Sequence, residues 1–324
     1  MRPEKPLAMV GGPLLTRLMR LRLLILAQGL FAGVDRLCLA LLVCLISTAA
    51  AAGTTNRPAA DPAPSFTRHA NTNSPWERLV LIGASVTAGF TESEPFGGPK
   101  TRPLRLNRYV DAALAVPHEP ARNLASAFVF LQPESASRKQ IDDALKAQPT
   151  LVLGLDFLFW FCYGDGNTDA ERLQRFDLGL KLLESFKCPL VLGDLPDASA
   201  AVNRQLRPDQ IPTPRALAAA NHRLREWAAG RRQVAILPLS SFMRTTLRNQ
   251  SLRVHRHVLP AGKTLALLQE DRLHPSATGA AFLAVSLLDA FQATRRGSPD
   301  GEVRWDPDEV FRLGSAAAAH AAGN

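Results

Sequence analysis

One segment near the end of the sequence pairs an acid with a histidine three residues later, in the order Asp271-Arg-Leu-His274-Pro275. At this spacing one turn of backbone can place the carboxylate against the imidazole. A general base needs such a carboxylate to orient its ring and to stabilise its charged form. None of the six other histidines follows an acid in this way. The segment is therefore a candidate base with its orienting acid, and an ordinary surface turn is the alternative.

A second segment could supply the group on which such a base acts. Ser85 lies within Gly83-Ala-Ser-Val-Thr-Ala-Gly89, directly after the apolar run 79–82. A serine in a tight turn between a strand and a helix exposes its hydroxyl and directs its own amide into the site, and a histidine base can then activate that hydroxyl. The glycines let the backbone turn closely. Two other interpretations stay open, a helix cap and a loop that cradles a phosphate.

These segments require a scaffold, and short apolar runs alternate with longer helical patterns along the chain. This alternation predicts a mostly parallel sheet with helices on both faces, which places function at the carboxyl ends of the strands. Ser85, Asp156 and Asp194 each follow a predicted strand. The predicted strands are 79–82, 151–153, 190–192, 234–237 and, more weakly, 121–125, and the predicted helices are about 104–115, 138–147, 170–186, 215–229 and 276–291.

The two motifs in this order resemble the SGNH (GDSL-like) family of serine hydrolases, which includes esterases and lipases. The resemblance extends over roughly residues 78–291. It implies a flavodoxin-like three-layer α/β/α sandwich that hydrolyses esters or transfers acyl groups without a metal or a cofactor. It also implies that Ser85 is the nucleophile, His274 the general base and Asp271 the orienting acid. The Ser85 amide would be one donor to the oxyanion.

The sequence departs from the family pattern at the other oxyanion donors. Ala84 replaces the usual aspartate before the nucleophile, and the stretch 123–137, which should supply a glycine amide, contains no glycine. Ser126 and Ser135 are candidate donors in that stretch. At the position of the family's oxyanion asparagine stands Asp156, which either is held protonated by burial or turns away. From the first alternative, Asp156→Asn is expected to preserve or raise activity.

Two further features near the strand ends have structural and functional interpretations. Asp194 follows a strand in Gly193-Asp-Leu-Pro196, so it is a candidate pocket residue, with a turn or helix cap as the alternative. The aromatic run 157–163 is interpreted as core or pocket wall.

The chain is predicted to have four parts. Residues 1–52 have a basic start, the apolar run 37–46 and the small residues of Ala50-x-Ala52, which together predict an export signal, with a membrane anchor as the alternative. Residues 53–75 are rich in Pro and Ala and predict a flexible linker. Residues 76–296 form the predicted hydrolase domain, and residues 297–324 are predicted to be a tail.

Cysteine usage predicts free thiols rather than a disulfide. Cys38 and Cys44 lie in the predicted signal, so Cys162 and Cys188 remain after processing. Cys162 follows one predicted strand and Cys188 precedes the next, which places them at opposite ends of a parallel sheet. The length of a strand then separates them by more than a disulfide can bridge.

Net charge and aromatic content limit the classes of molecule that the chain is expected to bind. The formal net charge is +9, of which residues 1–36 contribute +4, and aromatic residues make up 6% of the chain without a basic–aromatic repeat. Nucleic-acid binding is therefore disfavoured. The basic stretch 244–257 is interpreted as a solvated face, with attraction of an anionic substrate or peripheral membrane contact as the alternative.

Together these features predict an exported, periplasmic or secreted, serine hydrolase acting on a small ester, a lipid or an acylated glycan. An O-acyltransferase that acts on a glycan is one alternative. A non-catalytic binding domain of the same fold is the other, because Asp156 replaces the oxyanion asparagine.

Overall fold

The computed structural model describes residues 74–165, 168–295 and 300–322. The predicted signal at 1–52 and nearly all of the predicted linker at 53–75 lie outside the described residues. Within the described ranges, no helix is both long enough and apolar enough to cross a membrane.

A five-stranded, fully parallel sheet with the order β2-β1-β3-β4-β5 forms the centre of the described domain. This is the flavodoxin-like order, in which the chain reverses direction across the sheet next to β1. The prediction of a flavodoxin-like α/β sheet is confirmed. The strands are β1 (Leu79–Leu81), β2 (Arg122–Asn123), β3 (Leu151–Gly154), β4 (Leu190–Gly193) and β5 (Val234–Leu237), and a separate antiparallel pair consists of β6 (Leu252–Val254) and β7 (His257–Leu259).

The described part of the chain contains nine α-helices. Among the longer ones, α5 and α6 follow the threonine caps Thr168 and Thr213, and Ser276 caps α8 by accepting the Gly279 amide. The helices are α1 (Ser85–Ala88), α2 (Leu106–Ala113), α3 (Pro133–Lys146), α4 (Phe159–Cys162), α5 (Asp169–Leu183), α6 (Pro214–Ala229), α7 (Leu239–Leu247), α8 (Ala277–Gln292) and α9 (Pro307–Ala322).

Alternation along the strands divides the core into two layers. Leu79 and Leu81 of β1 face the layer formed by α2, α7, α8 and α9, whereas Val80 and Ile82 face the layer formed by α3, α4, α5 and α6. Successive strand residues point to opposite faces, so every central strand must be apolar on both sides. This explains the continuous apolar runs in the sequence.

The C-terminal segment differs from the predicted tail, because residues 307–322 form α9 and pack on the domain. Val310 is completely buried, and Gly314 lies so close to the Tyr109 ring of α2 that an added Cβ would be 2.6 Å from a ring carbon. The Ala115 amide also donates to the Glu302 carbonyl at 2.9 Å. The folded domain therefore extends past residue 296, since the small residues of α9 allow close packing against α2.

Cys162 and Cys188 are both free, as predicted, with Cys162 buried and Cys188 partly buried. Cys162 ends α4 beyond the carboxyl end of β3, and Cys188 lies just before β4. Burial raises the pKa of each thiol to about 11.

Candidate active site

Three side chains from the two ends of the domain form a continuous line of hydrogen bonds. Ser85 Oγ lies 2.8 Å from His274 Nε2, and His274 Nδ1 lies 2.6 Å from Asp271 Oδ2. The serine and the histidine are 189 residues apart in the chain. His274 and Asp271 are buried, with side chains only 2% exposed, so the hydrogen bonds between them are shielded from water.

The loop that carries the histidine is held by its own aspartate. Asp271 Oδ1 accepts the Leu273 amide at 2.9 Å and the His274 amide at 3.0 Å, which leaves Oδ2 for the imidazole. Arg272 takes the left-handed conformation (φ 61°), and this tight turn brings acid and base together. Burial favours the neutral form of Asp271, but the hydrogen bonds from the His274 side chain and the two amides outweigh it. The pKa of Asp271 therefore lies below its ordinary value.

The turn that carries Ser85 requires glycine at both ends. Gly83 has φ 152°, and an added Cβ there would lie 2.2 Å from Asp156 Oδ1. Gly89 ends α1 in the left-handed conformation (φ 84°), where a Cβ would lie 2.6 Å from the Arg105 amide nitrogen. Ser85 is the first residue of α1 and is partly exposed. This turn places the Ser85 hydroxyl at the carboxyl edge of the sheet, within hydrogen-bond distance of His274.

Asp156 lies under this turn and accepts hydrogen bonds from it. Its Oδ1 accepts the Ala84 amide at 2.9 Å and the Thr87 hydroxyl at 2.6 Å, and its Oδ2 accepts the Val86 amide at 2.8 Å. Of the two alternatives that the sequence left open, this geometry favours the second, in which Asp156 turns away from the oxyanion, because both of its oxygens act as acceptors. Burial raises the pKa of Asp156, and the donors around it oppose that shift.

This arrangement leaves the Ser85 amide available. The amides on both sides of it bind Asp156, whereas the Ser85 N–H has no acceptor among the described residues. It is thus free to donate to an oxyanion formed on the nucleophile.

The two serines expected as further donors are otherwise engaged. The Ser126 amide donates to the Gly83 carbonyl at 3.2 Å, and its Oγ accepts the Phe128 amide. Ser135 is exposed on the first turn of α3, where its Oγ donates to the Gln132 side chain at 2.9 Å. Between Leu124 and Phe128, the one amide without an acceptor in the described part of the chain belongs to Ala127.

Asp194 has a structural position rather than one in the pocket. Its Oδ1 accepts the Ser240 amide at 2.6 Å and its Oδ2 accepts the Ser240 hydroxyl at 2.7 Å. Burial raises its pKa, and Ser240 opposes the shift. Asp194 thus caps the amino end of α7 from the neighbouring strand, which is the alternative that the sequence left open.

Several supporting residues were missed in the sequence. Gln140 of α3 pairs with Gly83 twice, accepting its amide at 2.8 Å and donating to its carbonyl at 2.9 Å. The Gln269 side chain donates to the carbonyls of Phe90 and Pro275, each at 2.9 Å, and the Phe90 ring lies 4.4 Å from the His274 ring. These contacts depend on tertiary placement, and no local motif indicates them.

Two cavities of different character are lined by residues of the nucleophile turn, the first by Ser85 and Val86 and the second by Ala88 and Phe90. We call the first the inner pocket; it has a volume of about 30 Å³ and is apolar apart from Ser85 and Asp156. We call the second the outer cleft; it has a volume of about 300 Å³ and contains polar and aromatic side chains. The inner pocket is lined by Ser85, Val86, Asp156, Phe159, Pro196, Leu239, Phe242, Met243, Leu267, Leu268, Leu273, Pro275 and Leu283. The outer cleft includes Phe90, Glu94, Phe96, Arg105, Asn123, Ser126 and Phe128.

One group with the spacing of metal ligands lies outside the triad. His257, Asp306 and Asp308 place their ligand atoms within 4.8 Å of one another, and both aspartates are exposed. The hydrogen bonds of the triad involve none of these three residues.

Comparisons with known proteins give similarity at the level of solved structures. No family model matches the chain, and no curated protein matches it. A lipase/acylhydrolase from Enterococcus faecalis is 17% identical over 71% of this chain and 98% of its own, with a TM-score of 0.44. An acetyl xylan esterase from Geobacillus stearothermophilus is 17% identical over 66% of this chain and 94% of its own, with a TM-score of 0.43. A GDSL-like lipase from Bacteroides thetaiotaomicron is 13% identical over 68% and 89%, with a TM-score of 0.40. We therefore base the function on the geometry of the site.

Proposed function

We propose that this chain is a serine hydrolase of the SGNH (GDSL-like) kind that cleaves carboxylic esters through an acyl-enzyme on Ser85. The observation that carries the proposal is the unbroken line of hydrogen bonds from Ser85 Oγ through His274 to Asp271. A serine–histidine–aspartate line at these distances, with the histidine and the aspartate buried, is the geometry that nucleophilic acyl transfer requires.

Each residue then has a defined step. His274 donates from Nδ1 to Asp271, so Nε2 carries the lone pair that takes the Ser85 proton as Oγ attacks the ester carbonyl. The Ser85 amide donates to the oxyanion, and Asp271 stabilises the imidazolium. His274 gives the proton to the leaving alcohol. A water activated by His274 then releases the acid and regenerates Ser85.

The same geometry bears on the alternatives. A non-catalytic binding domain has no use for a buried histidine held between an acid and a serine hydroxyl, so the assembled triad favours catalysis. Acyl transfer to a sugar hydroxyl uses the same acyl-enzyme, with the sugar in place of water.

We propose that the enzyme acts outside the cytoplasm because of the export pattern in residues 1–52. The candidate substrates are small esters, lipids and acylated glycans.

The proposal is tested by labelling and turnover together. A small fluorophosphonate should label the wild-type protein at Ser85, and p-nitrophenyl acetate should be hydrolysed. We expect Ser85→Ala to abolish labelling and to lower kcat on the order of 10⁶-fold, as loss of a triad nucleophile does. Ser135→Ala, at an exposed serine on α3, is the matched control and should behave as wild type. Wild-type turnover in a folded Ser85→Ala variant would show that the nucleophile lies elsewhere.

A further inference from the structure

The inner pocket is small, and its walls are parts of the core. Eleven of its thirteen lining residues are buried; the exceptions are Ser85 and Val86 at its mouth. Helix α7 contributes Leu239, Phe242 and Met243, which are each less than 7% exposed. Since α7 begins at the Asp194–Ser240 cap, this wall is fixed to the sheet at its amino end.

The volume of the pocket limits what can enter. A cavity needs at least about 10–15 Å³ measured in this way to hold one water, and the inner pocket offers about 30 Å³. This is room for a group of about two heavy atoms. A longer chain would have to displace packed core side chains, which well-packed interiors resist.

The position of His274 decides which half of an ester lies in this pocket. The leaving alcohol must receive its proton from His274 Nε2. It therefore leaves Ser85 on the side that faces the His274 ring. Phe90, whose ring lies 4.4 Å from the His274 ring, lines the outer cleft. The cleft is ten times larger than the pocket, and Phe96 within it is 85% exposed. The alcohol therefore fits the cleft, and the acyl group fits the pocket.

We propose that this enzyme selects esters of very short acids, acetyl or propionyl, while accepting large alcohols. The inference rests on the hydrolase function proposed above and specifies its substrate class. It follows from the contrast between the small apolar pocket that Ser85 lines and the tenfold larger cleft that Phe90 lines.

Two substrate series separate the halves of the ester. In the acyl series, p-nitrophenyl acetate, propionate, butyrate and octanoate, kcat/KM should fall about 10-fold or more between propionate and butyrate, as one excess methylene in a filled pocket does. In the alcohol series, methyl, butyl and hexyl acetate, kcat/KM should change little. A profile that is flat in the acyl series would overturn the proposal. So would one that falls with alcohol length, because the pocket would then hold the alcohol.

A variant of the pocket wall gives a direct test. Met243→Ala removes the thioether arm from the wall and should move the optimum toward butyrate or longer chains, with a relative gain of about 10-fold for butyrate over acetate. Leu239→Val, a milder change in the same wall, should shift the profile in the same direction. Leu247→Ala lies on the same helix but outside the pocket lining, so its profile should match the wild type. An unchanged profile in both folded pocket variants would refute the assignment.

Labelling of Ser85 distinguishes a failure of the acyl selectivity from a failure of the proposed hydrolase function. Methanesulfonyl fluoride, whose sulfonyl group carries a single methyl, should label wild-type, Met243→Ala and Leu247→Ala proteins alike. If Ser85 is labelled and the acyl series is flat, the hydrolase function stands and the acyl selectivity is wrong. If Ser85 is not labelled and no ester is cleaved, the hydrolase function itself fails.

Discussion

Among single residues, Asp156 supports the nucleophile without touching it. Its carboxyl group accepts the amides of Ala84 and Val86 and the Thr87 hydroxyl, while the Ser85 amide between them stays free. One buried side chain therefore fixes both the turn and the direction of the free N–H. An asparagine would offer one oxygen and one NH₂ group, and that NH₂ would face donors it cannot bond.

This reverses the expectation from the sequence that Asp156→Asn preserves or raises activity. We now predict that the substitution lowers kcat and lowers the free energy of unfolding by about 1–3 kcal/mol, the cost of an unsatisfied buried polar group. Enzyme assays and urea unfolding measure the two effects. Asp142→Asn, at an exposed aspartate of α3, is the control. Full activity and stability in Asp156→Asn would mean that the turn does not depend on the carboxylate.

Asp271 differs from Asp156 because one of its oxygens is reserved for the base. In Asp271→Asn, the oxygen can keep the two backbone amides, but the NH₂ then donates to His274 Nδ1 and forces the proton onto Nε2. A protonated Nε2 cannot accept from Ser85, so we predict a loss in kcat of about 10⁴-fold at neutral pH. Steady-state kinetics checks this, with circular dichroism to confirm the fold. Near-normal turnover would exclude this tautomer argument.

The same carboxylate also links stability to pH. The pKa of Asp271 is lower in the folded state than its ordinary value of 3.8. The ionised group therefore stabilises the fold above that value, and the stabilisation is lost as pH falls through the lower folded pKa. Asp271→Asn should lack this part of the acid-induced loss.

At the scale of elements, α7 shows how a strand end can position a helix. Asp194 follows β4 and binds the amide and hydroxyl of Ser240 in the first turn of α7. We predict that Asp194→Ala lowers the free energy of unfolding by about 1–2 kcal/mol, as loss of a helix cap does. Urea unfolding measures this. The control is Asp142→Ala, at an exposed aspartate of α3. Equal stability of the two variants would remove the capping role.

The strands and helices also show which sequence patterns are sufficient to predict an element of secondary structure. The strands at 79–82, 151–153, 190–192 and 234–237 were predictable because a strand buried on both faces has no polar alternation to obscure it. Helix α7 was missed because it follows β5 after a single proline, without a cap of its own. Helix α9 was missed because its alanines are informative only once Tyr109 is known to lie beside Gly314.

For the molecule as a whole, the sheet separates the two cysteines, and burial makes both unreactive. With a pKa of about 11, each thiol forms little of the thiolate that reacts with electrophiles. We predict that iodoacetamide at pH 8 alkylates both residues slowly in the native protein, Cys188 before the more buried Cys162, and rapidly after unfolding. Peptide mass spectrometry measures each site. Fast native alkylation of Cys162 would contradict its burial.

The site as a whole was predictable where chemistry dictates residue type. Ser85, Asp271 and His274 could be paired across the chain because a serine nucleophile needs a base, and the base needs an acid. Gln140 and Gln269 could not, because glutamines occur throughout surfaces and only the folded backbone brings these two to Gly83 and Phe90. Each reacting residue can thus be recognised from a short motif, whereas the residues that support it cannot.

The Gln269 side chain donates to one carbonyl in the nucleophile's loop and to another in the base's loop. It thereby fixes the position of the segment that follows Ser85 relative to the segment that carries His274, where the two residues must be at hydrogen-bond distance. Misplacement of a reacting group by about 1 Å can lower the rate on the order of 10²-fold. A displacement of this size is much smaller than the one that disrupts a helix or a strand. Activity therefore depends on smaller displacements than spectroscopic signals of secondary structure do, and we expect it to be lost on warming before the sheet and helices unfold.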